Sequence, residues 1–283
     1  EIHERLVGSE MCIRDRAERN LKELEGKSFD QVKEEGRKVW DKTLGVFDVE
    51  MDLDKMRTFY SCLYRSVLFP RRFYEFDASG KPVHYSPYNG KVLPGYMFTD
   101  TGFWDTFRCL FPLLNLAYPS MNAQTQEGLL NTYKESGFLP EWASPGHRGC
   151  MVGNNSASVV ADAIMKDITP KEIQEALYEA MLKTANDCHP QVKSTGRFGY
   201  EYYNELGYVP YNVGINESAA RTLEYAYDDW CIAQVGKKLG RPASETDLYL
   251  KRAHNYKNLF DPSHNLMRGR NKDCLLYTSD AAD

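Results

Sequence analysis

The segment from Asp100 to Arg108, DTGFWDTFR, combines carboxylates, a guanidinium group and an indole within nine residues. Aromatic rings stack on the apolar faces of sugar rings, and carboxylate and guanidinium groups bind hydroxyl groups in pairs, so the mixture suits a polar, uncharged ligand. Asp100, Thr101 and Gly102 precede a run of apolar residues and predict a helix N-terminus. A capped, half-buried core helix is the alternative interpretation of the same residues.

A second unusual segment, residues 138–155, reads FLPEWASPGHRGCMVGNN and is predicted to be a loop between two helices. It carries Glu141, Trp142, His147 and Arg148. Loops that concentrate aromatic and charged side chains are often functional surfaces, so this one is a candidate to line a site, although a plain surface loop remains possible. Its glycines lack the Lys-Ser/Thr ending of a phosphate-binding loop.

The third segment, residues 216–230, places four charged side chains on one face of a predicted helix: Glu217, Arg221, Glu224 and Asp228. A solvated stripe of ion pairs explains this spacing, and an inner face that lines a site explains it equally well. For an inner face, Glu217 is the preferred candidate because it lies in the first turn after a loop.

Other reactive residue types form no recognisable centre. The histidines His84, His189, His254 and His264 lack the spacing of a metal site, and no Ser or Cys lies in a nucleophile elbow. Five cysteines remain after Cys12 and Cys274 are set aside for the reason given below. Their odd number and wide spacing argue against a zinc site and a full disulfide framework, and we expect most of them to be buried thiols.

The spacing of apolar residues predicts a mainly α fold. One insertion, near 73–98, is predicted to be a short β-hairpin around Asp77 to Gly80. Helical hairpins with functional loops at alternate junctions fit a toroid, and a helix bundle is the alternative. The predicted helices span residues 28–43, 52–69, 102–117, 121–136, 154–167, 170–187, 216–239 and 244–259.

Composition excludes several classes of protein. The 283 residues carry a net charge of −5, which argues against a nucleic-acid partner because such proteins show a basic surplus. No apolar stretch approaches the roughly 20 residues of a membrane span. The 42% hydrophobic and 27% charged residues are ordinary for a globular protein with a sizeable core.

The two ends of the chain look foreign to the rest. With suitable codons, CIRDR near the start and CLLYTS near the end are reverse complements of one DNA word, which is typical of a sequencing adapter. Residues 1–16 and 273–283 are therefore predicted to be adapter-derived, with a short amphipathic helix over 1–16 as the alternative. Residues 17–272 are then an internal piece of a longer protein.

Three ordered motifs resemble glycoside hydrolase family 92, the calcium-dependent exo-acting α-mannosidases: GFWDTFRCLFPLL, the run from LPEWAS to GCMVGNNSASVVADAIMKDI, and RTLEYAYDDWCIA. The resemblance spans most of residues 17–272. It implies part of an (α/α)6 toroid, with an N-terminal β-sandwich and the C-terminal part of the toroid outside this chain. It also implies export to the periplasm, the cell surface or the medium of a bacterium.

The resemblance implies hydrolysis of terminal α-linked mannose with inversion, by two carboxyl groups roughly 6.5–9.5 Å apart. The partners would be mannose-containing glycans, and a calcium ion would contact the sugar hydroxyls. Carried over by position, Trp104, Asp105 and Thr106 would line the subsite of the terminal mannose. Trp142 and Arg148 are weaker candidates for its rim.

In the family, the catalytic acid, the catalytic base and the calcium ligands follow the LEYAY helix, and this chain ends before them. We therefore assign no catalytic residue and no metal ligand, and interpret Glu217, Asp228 and Asp229 as helix face or support. The chain is expected to be inactive alone. A non-catalytic helical module that binds glycans or protein partners is the alternative function.

Overall fold

The computed structural model describes residues 17, 18 and 20–273. The predicted adapter segments lie outside these residues, apart from Asp273. The chain divides between Arg65 and Ser66 into two compact units, which are described separately.

The first unit contains a helical hairpin. Ser28 caps α1 in a reciprocal capping box with Gln31, as its spacing predicts: Ser28 Oγ accepts the Gln31 N–H at 3.3 Å, and Gln31 Oε1 accepts the Ser28 N–H at 2.7 Å. Trp40 of α1 packs edge-on against Tyr64 of α2, with ring centroids 4.6 Å apart. The two helices are α1 (Phe29–Leu44) and α2 (Leu53–Ser66).

The second unit begins with the predicted β insertion. Asp77 forms its turn, because its Oδ1 accepts the backbone N–H groups of Ser79 at 2.8 Å and Lys81 at 2.9 Å. The hairpin prediction is thus confirmed, with a third antiparallel strand added and a short pair of strands beside it. The strands are β1 (Arg71–Arg72), β2 (Glu75–Phe76), β3 (Pro82–Tyr85), β4 (Val92–Pro94) and β5 (Phe98–Thr99).

Helices make up most of the remainder, so the mainly α prediction is confirmed. The long helix α9 packs against α6, α7 and α10, and its Tyr225 joins Tyr203, Val209 and Ile215 in a buried cluster. The helices are α3 (Phe103–Thr106), α4 (Leu110–Ala117), α5 (Pro119–Ser136), α6 (Ser156–Met165), α7 (Lys171–Ala185), α8 (Tyr200–Leu206), α9 (Ser218–Lys238) and α10 (Ala243–Arg252).

The prediction of one helix over 102–117 is wrong. Pro112 has no N–H to donate to the carbonyl group of Arg108, and its ring disfavours a regular helix across both residues; the chain leaves helical geometry at Cys109. The predicted helix over 244–259 also ends early, at Arg252, and a 3-10 turn follows at Asn255–Leu259. The short α8, between Gly199 and Gly207, was not predicted.

The expectation that most cysteines are buried is also wrong. Only Cys231 is buried, Cys150 and Cys188 are partly exposed, and Cys62 and Cys109 are exposed. Cys62 lies on α2, which buries only Leu63, and Cys109 lies in the break between α3 and α4. These five cysteines form no disulfide bond with one another. Among the described residues, no helix is long and apolar enough to cross a membrane.

Candidate functional site

A two-stranded β pairing joins the first two sequence motifs. Strand β6 (Thr101–Gly102) pairs antiparallel with β7 (Trp142–Ala143), so that Gly102 lies opposite Trp142. The Phe103 N–H then donates to the carbonyl oxygen of Glu141 at 3.0 Å. The start of α3 is therefore fixed against the loop that contains Trp142.

The predicted cap of this helix is not observed. Thr101 belongs to a strand, and Gly102 occupies the N-cap position without a side-chain hydrogen bond. Asp100 adopts a left-handed backbone conformation with φ 56°, and its carboxylate pairs with Arg71 at 3.4 Å. The pairing with β7, which sequence spacing does not reveal, replaces the capping interaction.

Asp105 and Trp142 converge on Gly102. A Cβ atom at residue 102 would lie 2.1 Å from Cε3 of the Trp142 ring and 2.9 Å from Oδ2 of Asp105. Glycine is required here because the indole and the carboxylate occupy the space of a side chain. The indole Nε1 of Trp142 is buried without a hydrogen-bond partner among the described residues.

Trp104 is connected to the third motif. Its indole N–H donates to Oε1 of Glu224 on α9 at 3.1 Å, and Nη2 of Arg108 approaches the same oxygen at 3.5 Å. The Arg108 guanidinium also lies 4.8 Å from the centroid of the Trp104 ring, within the range of a cation–π contact. Arg108 therefore pairs with Glu224 and not with Asp105.

Two buried carboxyl groups lie behind these residues. Glu141 Oε2 accepts the backbone N–H of Asn155 at 2.8 Å, and Asp228 Oδ2 accepts the backbone N–H of Asn154 at 3.0 Å. Burial, and then the charge of Asp228, raise the pKa of Glu141 well above its ordinary value. Burial, together with the charges of Glu224 and Asp229, raises the pKa of Asp228 against the opposing effect of Arg197.

Asp229, next along α9, belongs to a structural network. It accepts hydrogen bonds from Arg197 at 2.7 Å, Arg252 at 3.0 Å and the Tyr203 hydroxyl at 3.0 Å, all of them buried. Arg197 also donates through Nε to Asn154 Oδ1 at 3.3 Å. The network holds the loop at Asn154 against α9 and agrees with the interpretation of Asp229 as support.

Gly153 permits the close approach of loop and helix. Its φ is +95°, and a Cβ atom there would lie 2.2 Å from the Asn155 side-chain nitrogen and 3.2 Å from Cβ of Glu224. Any other residue would separate the loop from α9 or displace Asn155.

The charged face of α9 does not form one solvated stripe. Glu217 lies exposed at the helix start and pairs with Arg221 at 3.3 Å, as the stripe interpretation expects. Glu224 and Asp228, in contrast, point towards α3 and the loop at Asn154. The inner-face role therefore falls to Glu224 and Asp228, and the preference for Glu217 does not fit this geometry.

Hydrogen bonds fix two further carried-over residues beside Gly102 and Trp142. The Thr106 hydroxyl donates to the carbonyl oxygen of Gly102 at 2.7 Å, so it can only accept a hydrogen bond from a ligand. The backbone N–H of Arg148 donates to the Trp142 carbonyl oxygen at 3.0 Å and holds this residue beside Trp142, while its side chain is exposed. Both remain predicted, like Trp104, Asp105 and Trp142, to bind substrate.

Glu141 and Glu224 are among the charged residues whose sequence positions could line a site, but the predicted sugar-binding set does not include them. The Gly153-Asn154-Asn155 sequence before α6 was the available signal, because a glycine followed by two amides often marks a tight, hydrogen-bonded loop. The partners of these amides, however, lie on distant segments.

His147 and His189 form a separate histidine pair. The rings of His147 and His189 have centroids 5.3 Å apart, and Nε2 of His147 lies 2.9 Å from the Ser136 hydroxyl oxygen. Burial, and then His189, lower the pKa of His147 to about 4. Across the described ranges, no group of three or more His, Cys, Asp or Glu residues could hold a metal ion.

The site thus combines two indoles and an exposed carboxylate, backed by buried carboxyl groups. These groups can bind a polyhydroxylated, uncharged ligand: the rings offer apolar faces, and the carboxylate accepts hydroxyl hydrogen bonds.

Solved structures of other proteins have the same architecture. The family GH92 inverting mannosidase of Bacteroides thetaiotaomicron VPI-5482 superposes with a TM-score of 0.90 at 46% identity, over 95% of this chain and 36% of that one. A family GH92 alpha-mannosidase of the same species, solved in complex with mannoimidazole, has a TM-score of 0.83 at 34% identity, over 93% of this chain and 34% of that one. The partial (α/α)6 toroid is confirmed, because these relatives have helical toroid catalytic domains, and the bundle alternative is wrong.

Sequence comparisons agree. An uncharacterized secreted glycosidase of Arthroderma benhamiae is 30% identical over 272 residues, which cover 90% of this chain and 30% of that protein. The chain thus spans about a third of the length of these relatives. The model of the glycosyl hydrolase family 92 catalytic domain matches residues 16–280. The chain therefore belongs to glycosyl hydrolase family 92, and the matched residues belong to the catalytic domain of that family.

Proposed function

We propose that the protein of which this chain is a part hydrolyses terminal α-linked mannose from glycans such as N-glycans, with inversion. The main support for this proposal is that Trp142 and Asp105 converge on Gly102, beside Trp104. The chain that contains them is 46% identical to an inverting mannosidase. In this proposal Trp104, Asp105 and Thr106 bind the terminal mannose, and Trp142 and Arg148 form the rim.

The chemistry requires a carboxylic acid on one side of the scissile bond and a carboxylate that activates water on the other. Glu141 and Asp228 are buried and already accept backbone hydrogen bonds, so neither is placed to play these roles. We therefore assign the acid and the base to parts of the protein outside this chain. The chain alone binds the sugar without cleaving it.

The family resemblance also implies calcium, which takes six to eight oxygen ligands. Among the described residues, no group of three or more His, Cys, Asp or Glu side chains could hold a metal ion, and the buried carboxylates of Glu141 and Asp228 each accept a backbone N–H instead. We therefore assign the calcium ligands to parts of the protein outside this chain. By analogy with the secreted relative, we propose that the protein acts outside the cytoplasm, in the periplasm, at the cell surface or in the medium.

Two measurements test the proposal: calorimetric titration of the chain with methyl α-mannoside, and mannose release from α-linked mannobiose. We expect binding without turnover by the chain, and turnover by the protein encoded by the complete gene, abolished by EDTA and restored by calcium. Mannose release by the chain alone would overturn the assignment of the catalytic groups to other parts. Sugar binding without turnover by the complete protein would favour a non-catalytic glycan-binding module.

A further inference from the structure

Glu224 lies where α9 meets the one-turn helix α3. Its side chain is 17% exposed, and its Oε1 is the shared acceptor of the Trp104 indole N–H at 3.1 Å and of Arg108 Nη2 at 3.5 Å. The oxygen thus contacts both the ring and the cation that stacks on that ring.

Arg108 fixes the ring from a second direction. Its guanidinium carbon lies 4.8 Å from the centroid of the Trp104 ring and 4.6 Å from that of Phe107. Because the cation covers one face of the indole, a sugar ring can stack only on the opposite face. Glu224 holds the edge of the indole while Arg108 covers one face, so the orientation of the stacking surface is determined.

Helix α3 alone cannot fix the orientation of the Trp104 side chain. It spans only Phe103–Thr106, and the chain breaks from helical geometry at Cys109 before α4 begins. An indole on a single helical turn retains rotamer freedom, which a ligand must remove on binding. The hydrogen bond to α9 removes that freedom in advance.

We propose that Glu224 is a positioning residue for sugar recognition, which orients the Trp104 indole and the Arg108 guanidinium without touching the reacting atoms. The proposal rests on the proposed function, because it assigns a purpose to the orientation of a sugar-stacking ring. Gly153 is part of the arrangement, since a Cβ atom there would lie 3.2 Å from Cβ of Glu224.

Two substitutions of Glu224 distinguish a positioning role from an effect of its negative charge. Glu224→Gln keeps an acceptor oxygen for the indole N–H, whereas Glu224→Met has a similar volume and no comparable acceptor. For methyl α-mannoside we expect Glu224→Met to weaken binding about fivefold to tenfold, and Glu224→Gln to stay within about threefold of the wild-type chain. The matched control is Glu217→Met, an exposed glutamate that also pairs with an arginine, and it should leave the affinity unchanged.

A double-mutant cycle tests whether Glu224 acts through Trp104. In a Trp104→Phe background the indole N–H is absent and only the contact with Arg108 remains, so Glu224→Met should cause a smaller loss of affinity than in the wild-type chain. Equal losses in both backgrounds would show a general structural role and overturn the proposal. Equal losses in Glu224→Gln and Glu224→Met would show that charge or direct sugar contact matters, and would overturn it as well.

The indole N–H resonance of Trp104 gives a readout that needs no sugar. In ¹⁵N-labelled chain, assigned through Trp104→Phe, it should move in Glu224→Met and stay near its wild-type position in Glu224→Gln. An unmoved resonance in Glu224→Met would overturn the positioning role. Failure of the wild-type chain to bind the mannoside would instead overturn the proposed function.

Discussion

The carboxyl groups of Glu141 and Asp228 are held by consecutive backbone N–H groups of one loop. The N–H of Asn155 donates to Glu141 at 2.8 Å, and the N–H of Asn154 donates to Asp228 at 3.0 Å. Two buried acids that come from distant segments thus lie near each other behind the candidate sugar site. Burial raises the pKa of both carboxyl groups, and the charge of Asp228 adds to the effect on Glu141, which ties the stability of the site to pH.

Glu141→Gln should flatten part of the pH dependence of stability. Because the folded-state pKa of Glu141 lies above its ordinary value of 4.5, the folded chain binds more protons than the unfolded chain above that pH. Stability from this group is therefore present at low pH and lost as pH rises through the folded pKa. Urea unfolding from pH 4 upwards should show a smaller loss in Glu141→Gln than in wild type. If the free energy of unfolding of Glu141→Gln changed with pH in parallel with that of wild type, the result would contradict this prediction. Glu217→Gln, at an exposed position, is the control.

His147 should contribute a pH dependence of stability with the opposite sign, and His147→Gln should remove it. The pKa of His147 is lowered from 6.5 to about 4 by burial, so the unfolded chain binds more protons between these values. Stability from the neutral imidazole is present above pH 6.5 and lost as pH falls towards 4, by at most about 3 kcal/mol. Wild type should lose stability more steeply than His147→Gln over this window. Identical slopes in urea titrations of the two proteins would refute the assignment.

Gly102→Ala should disrupt the site by steric overlap. The added methyl group would meet the Trp142 ring at 2.1 Å, and relief requires the β6–β7 pair or the indole to move. We expect a loss of about 1–3 kcal/mol of unfolding free energy, together with loss of mannoside binding. Gly149→Ala is the matched control, because a Cβ atom there meets nothing within 4 Å. Equal stability of the two variants would show that the overlap is absent in solution.

Trp104→Ala should weaken binding of methyl α-mannoside without unfolding the chain. Removal of a stacking ring costs about 1–2 kcal/mol of binding free energy, which corresponds to roughly tenfold in affinity. Trp230→Ala provides the comparison, since this half-exposed indole stacks on Tyr227. Calorimetric titration of both variants distinguishes them, and equal affinities would remove Trp104 from the site.

Asp229→Asn should destabilise the chain strongly. The substitution leaves Arg197 and Arg252 buried without their carboxylate, and breaking such a buried network costs about 3–5 kcal/mol. Asp167→Asn removes an exposed partner of Lys238 and should cost much less, because solvent screens this pair. Thermal and urea unfolding of the two variants measures the difference. Comparable losses would argue against the buried network.

Local interactions could be predicted from sequence because neighbouring residues provide them. The Ser28–Gln31 capping box and the turn at Asp77 appear as expected. The same reasoning failed at 102–117, where the helix breaks at Cys109, ahead of Pro112, and a strand pairing replaces the expected cap. It failed there because the partner strand lies forty residues away in the chain.

The sequence by itself determined the mainly α fold, the β-hairpin insertion and the family, because these depend on local periodicity and on ordered motifs. Only the tertiary structure decided that Trp142 lies opposite Gly102, that Trp104 binds Glu224, and that Asp228 points towards Asn154. Helical spacing states which side chains share a face, but not whether that face meets solvent or another segment. That choice follows from packing between distant parts of the chain, where burial of apolar surface and pairing of buried polar groups select one arrangement.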